Sequence, residues 1–151
     1  MLKMGKSFGL ILIIGAFLAA CASLPIASPT PIPPQGDNPY APQPGDAALM
    51  QSNAEIVSAA VMTAESFPPQ ISLSLSYRLI TPCNSLRVNI SQPDSTKRVH
   101  LDVYGVAPKD KPCTLMALAT PQQATINLGS YPIDQYTVWI NGVQIGEFNA
   151  Q

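Results

Sequence analysis

Charge is scarce in this chain: Asp, Glu, Lys and Arg make up 11% of its 151 residues, against about 25% in an ordinary soluble domain. Polar surfaces must therefore be built from Ser, Thr, Asn and Gln. Histidine is scarcer still, with His100 alone and three cysteines beside it, so a zinc centre lacks imidazole ligands and no cofactor or metal is expected. A serine nucleophile finds no Gly-x-Ser-x-Gly elbow, and His100 and Asp102 stand two apart on what reads as a strand. A cysteine nucleophile would need Cys83 or Cys113 as a free thiolate beside the histidine. The acidic residues are scattered; paired carboxylates of the glycosidase kind need no sequence motif and stay open. There is no apolar run of the roughly 20 residues that a spanning helix requires, the longest being the stretch of about 11 from Phe8 to Leu18. Basic runs are missing too. Without Lys3 and Lys6 the remaining six basic residues face nine acidic ones, which argues against nucleic acid as a partner.

What is present begins with an export signal. Lys3 and Lys6 form a basic start, Phe8 to Leu18 an apolar stretch, and Ala19-Ala20 a small-residue cleavage site. Leu18-Ala19-Ala20-Cys21 resembles the lipobox of bacterial lipoproteins at all four positions. That resemblance implies cleavage before Cys21, lipid on its thiol and often acylation of its freed amine, which would supply the two or more chains that stable membrane attachment needs. The bland alternatives are an ordinary signal peptide followed by a chance cysteine, or an uncleaved anchor. The expectation is a protein anchored to the bacterial cell membrane by lipid, facing the extracytoplasmic side. Ala22-Ser23 lacks the aspartate that commonly retains such proteins at an inner membrane.

Residues 1–20 are thus read as the signal, 21–46 as a stalk and 47–151 as the folded domain. Eight of the 24 residues from Ala22 to Gly45 are proline, a composition that favours extended, unfolded chain. From about Ala54 the pattern alternates with a period of two. Ile71, Leu73, Leu75, Tyr77 and Leu79 alternate with polar neighbours, as do Leu86, Val88 and Ile90, and Val99, Leu101 and Val103. Further strands are predicted at 55–63, 124–128, 136–140 and 143–148, with a short one at 114–119. Strands with no helical pattern between them imply an all-β antiparallel sandwich of about seven strands.

Asn141-Gly142 between two apolar runs predicts a type I′ hairpin. Its register should place Val138, Ile140, Val143 and Ile145 on one face, and Trp139, Gln144 and Phe148 on the other. Upstream, Asp134-Gln135-Tyr136-Thr137-Val138 resembles the Asp-x-Tyr-x-Cys stretch of immunoglobulin-like domains, with Val138 where the cysteine would stand. Together with Leu128-Gly129 and Asn141-Gly142, and loosely from Glu65-Ser66-Phe67-Pro68 to Phe148, the chain is similar to small immunoglobulin-like domains of bacterial envelope lipoproteins. The resemblance implies an immunoglobulin-like sandwich with Tyr136 as the corner tyrosine and without the inter-sheet disulfide. It implies no activity.

With Cys21 lipidated, Cys83 and Cys113 are an even pair in an oxidising compartment, where a loop-pinning disulfide is the default and two free thiols the alternative. Trp139 is expected on the outer face as a contact surface, or as a cover for the glycine backbone at Gly146. Tyr104 extends that surface only if its strand lies beside Trp139. The function expected is a non-catalytic binding or structural module with an unknown envelope or extracellular partner; the alternatives are an envelope enzyme on a small sandwich, or a protease inhibitor. Inhibitors of immunoglobulin-like fold carry an Asn-Pro-Thr-Thr-Gly-Tyr-like loop, which this chain lacks, since Asn38-Pro39-Tyr40 lies in the expected stalk.

Overall fold

The computed structural model of the chain describes residues 37–110 and 120–151. Cys21, Cys113 and the strand expected at 114–119 lie outside them. Eight strands are described: β1 (Met50–Asn53), β2 (Glu55–Ala64), β3 (Gln70–Arg78), β4 (Ser85–Ile90), β5 (Arg98–Ala107), β6 (Gln122–Gly129), β7 (Asp134–Ile140) and β8 (Val143–Ala150). Alternation decides which side of each faces inward. Ile71, Leu73 and Leu75 of β3, Val99, Leu101 and Val103 of β5, Ala124, Ile126 and Leu128 of β6, and Tyr136, Val138 and Ile140 of β7 enter one hydrophobic core. Two sheets close over it in an all-β sandwich, one of β2-β3-β6 and one built around β5.

β5 is the axis of the larger sheet. β4 runs antiparallel along one of its sides from Leu101 to Val106. The other side is shared, with β7 along Arg98 to Leu101 and β1 along Tyr104 to Ala107. The β5–β7 pairing is parallel, where the sequence suggested antiparallel neighbours throughout. β8 completes the sheet through its hairpin with β7.

Three sequence expectations change. The folded unit starts before residue 47: Asn38 Nδ2 donates to the Val88 carbonyl at 3.0 Å, and the Val88 amide donates to the Tyr40 carbonyl at 2.8 Å. Residues 38–49 form a strap that covers the free side of β4, crosses the sheet through a 3₁₀ turn at Pro44–Ala48 and leads into β1. Asn38 and Asp46 supply the side-chain bonds that a proline-rich composition conceals.

The hairpin register also changes. Asn141 and Gly142 have φ of 48° and 85°, as the type I′ turn requires, and Ile140 pairs with Val143 and Trp139 with Gln144. The next pair is Val138 with Gly146, so Ile145 is an extra residue in β8. This bulge reverses the facing of the residues beyond it. Phe148 turns into the core opposite Tyr136, while Val143 remains 65% exposed.

The third change concerns Gly146, which sits on the inward face opposite Val138. A Cβ there would lie 3.1 Å from Val61 Cγ2 of β2, so its missing side chain lets the edges of the two sheets approach. Val61 fills the space on the inward side of this glycine.

Candidate functional site

The outer face of the larger sheet gathers the polar and aromatic groups. Arg98, His100, Asp102 and Tyr104 alternate outward along β5, and the parallel register sets Trp139 of β7 beside His100. The two rings lie 6.3 Å apart between centroids. The Arg98 guanidinium carbon is 5.6 Å from the centre of the indole, and Trp139 Nε1 donates to Thr137 Oγ1 at 3.0 Å. Trp139 is therefore half-buried and held at both ends. Tyr104 stands further along the same face, about 13 Å from His100 at the usual strand rise. Its strand does adjoin that of Trp139.

One end of the face is organised by Asp94. Its Oδ1 accepts from the Thr96 hydroxyl at 2.7 Å and from the amides of Thr96 and Arg98 at 2.8 and 3.0 Å. His100 Nε2 lies 3.4 Å from its Oδ2. Hydrogen bonding from Thr96, then from the Arg98 backbone, holds this carboxyl far below the usual carboxylate range. Lys97 takes a positive φ of 62° at the turn into β5 and its Nζ reaches Asp134 Oδ2 at 2.7 Å. That bond lowers the Asp134 carboxyl, helped by the Gln135 amide, and raises the lysine. Tyr136 donates its hydroxyl to the Pro132 carbonyl at 3.1 Å, the bond of a tyrosine corner, and its ring stacks on Phe148 at 5.2 Å.

The other end is a cleft of about 800 Å³, lined by Pro42 of the strap, Gln51 and Asn53 of β1, Asn89 of β4, Asp102 and Tyr104 of β5, and Asn141 at the hairpin tip. The register explains the gathering: Tyr104 pairs with Asn53 on one side and Arg87 on the other, while Asp102 pairs with Asn89. Arg87 is not free to serve the cleft. Its Nε and Nη2 grip the two carboxylate oxygens of Asp46 at 2.7 and 3.1 Å, with the two side chains only 12% and 13% exposed. The arginine bond, and then the Gln43 amide, lower the Asp46 carboxyl. This forked pair fixes the strap to the sheet.

Sequence reasoning named Tyr104 and Trp139 but missed Gln51, Asn53, Asn89 and the strap. β1 is short and carries no apolar alternation, so nothing in its composition marks it as the neighbour of β5. Among the described residues no group of three His, Cys, Asp or Glu side chains could hold a metal ion. Cys83 sits exposed in the turn between β3 and β4. Comparison with known proteins gives no match to any family model, to any curated protein or to any solved structure.

Proposed function

We propose that this chain is a lipoprotein of the bacterial cell envelope, held at the extracytoplasmic face of the membrane by lipid on Cys21, whose sandwich is a non-catalytic binding module. The lipobox and the signal before it support the anchor. The observation that carries the binding reading is the cleft beneath the strap, where four carboxamides, one carboxylate and one phenol converge on a rigid sheet face. A disulfide between Cys83 and Cys113 belongs to the same reading, as do Trp139 and Tyr104 as contact residues. Two measurements test it. Replacing Cys21 by Ser should leave an unprocessed precursor that takes up no labelled fatty acid, and continued labelling would refute the anchor. The full chain, used as bait on solubilised envelope, should retain a component that Tyr104→Ala releases; equal retention by both would remove the cleft from the proposal.

A further inference from the structure

We propose that the cleft binds an uncharged sugar chain. The inference rests on the binding-module reading above and names its ligand class. Gln51 and Asn53 each present a donor and an acceptor, the combination that matches hydroxyl groups, which both give and take hydrogen bonds; Asn89 already donates to Asp102, and Asn141 is bonded to the Val103 backbone through both ends of its carboxamide. None of the side-chain hydrogen bonds among the described residues uses Gln51, Asn53 or the Tyr104 hydroxyl, so these groups are available to a ligand. The Tyr104 ring adds an apolar face for the C–H side of a pyranose.

Charge narrows the class. The only carboxylate in the lining is Asp102, with Asn89 Nδ2 at 3.3 Å from its Oδ2, and the neighbouring cation, Arg87, is consumed by Asp46. An anionic ligand would meet a negative site without a counter-charge, and a cation would find one exposed carboxylate where several are needed. A peptide added as a strand needs a free backbone edge. β5 has partners on both sides, and the outer side of β4 is bonded to Tyr40 and Asn38 at Val88, which leaves a peptide at the cleft only the four-residue edge of β1. The cleft is open to solvent and has a volume of about 800 Å³, which suits a stretch of polysaccharide more than an enclosed monosaccharide.

The full chain, purified in a detergent without a sugar headgroup, would be titrated by calorimetry with linear tetrasaccharides of glucose, N-acetylglucosamine and mannose. In a second arm it would be sedimented with purified insoluble wall polysaccharide. Saturable binding in either arm, weakened tenfold or more by Tyr104→Ala and by Asn53→Ala but unchanged by Met62→Ala on the opposite sheet, is the expected result. Binding to tetrasaccharides identifies a soluble or terminal glycan, and binding to the insoluble material alone identifies a wall polymer. Asn53→Ala removes an exposed side chain with no internal bond, so its melting point should match the parent and a loss of binding cannot be blamed on unfolding. Absence of binding in both arms, or binding indifferent to both cleft variants, overturns the inference. If the envelope bait experiment then still retains a protein through Tyr104, the binding-module reading stands and only the sugar is lost.

Discussion

The carboxamide of Asn141 bonds twice to the backbone of Val103. Its Oδ1 accepts from the Val103 amide at 2.8 Å and its Nδ2 donates to the Val103 carbonyl at 3.0 Å. The Asn141 amide itself donates to the Leu101 carbonyl at 3.0 Å. One turn residue thus fills the place in the ladder of β5 where β7 has ended and β1 has not begun. Asn141→Gly keeps the left-handed turn but leaves both Val103 groups unpaired, which should destabilise the domain by about 2–3 kcal/mol. Asn141→Ala should cost about 1 kcal/mol more, because alanine resists that backbone conformation. Denaturant melts of both variants check the pair, and parental stability in the glycine variant would show that Val103 finds its partners elsewhere.

Gly105 faces inward where a Cβ would lie 2.9 Å from Ser52 Oγ and 3.2 Å from both Asn84 Nδ2 and Leu79 Cδ2. Ser52 and Asn84 are bonded to each other at 2.8 Å, so neither can yield cheaply. Gly105→Ala should destabilise the domain by about 1–3 kcal/mol. A denaturation midpoint equal to the parent would contradict this.

Asp46, Asp94 and Asp134 all have carboxyls lowered in the fold by hydrogen bonds. Because the unfolded chain protonates first, near pH 4, their contribution is complete above that pH and is lost progressively as the pH falls below it. Lys97 is raised by Asp134, and burial pushes Tyr131 up to about 12. Their contribution is complete below about pH 10 and fades as the pH climbs through the folded values. A pH series of melting points should be flat, for these groups, from about 5 to 9 and fall on both sides. Asp94→Asn should soften the acid limb. An acid limb of the same slope in that variant would assign it to other carboxylates.

Trp139→Ala should cost about 1–2 kcal/mol through the lost packing, the Arg98 contact and the Thr137 bond. The parent should show the emission of a half-buried indole. A fully buried spectrum would mean that the indole does not face outward beside His100.

The proposed bridge between Cys83 and Cys113 closes a loop of about 30 residues, worth roughly 3.5 kcal/mol by chain-entropy reasoning. Cys83→Ser should lower stability by an amount of that order. Two alkylatable thiols in the exported protein would exclude the bridge.

The core strands were legible because their side chains alternate: Ile71, Leu73 and Leu75, or Val99, Leu101 and Val103, carry the inward face in their spelling. The Asn-Gly turn was legible for the same local reason. The bulge at Ile145 was not, since a run of apolar and polar residues reads equally well in either phase, and only Phe148 meeting Tyr136 settles which is used. The cleft was the least legible part. Gln51, Asn53, Asn89 and Asn141 come from two strands and a turn, and no spacing links residues that only register brings together. Tyr104 could be placed on the outer face, but its adjacency to the Trp139 strand depended on a parallel pairing that alternation does not encode.

The strap gives the molecule a defined response to force. Any pull arriving along the chain from the N-terminal side of Asp37 reaches the fold first at Asn38 and Tyr40, where Val88 holds it, and next at Asp46, gripped by Arg87. These attachments lie one after another along a single crossing segment, so a pull from that side meets them before it meets β1 and, through β1, the β5 ladder. Pro42 belongs to that same segment and to the wall of the cleft. A ligand in the proposed site would therefore rest against the segment that such a pull meets first, so tension on the chain and occupancy of the cleft would bear on the same strap.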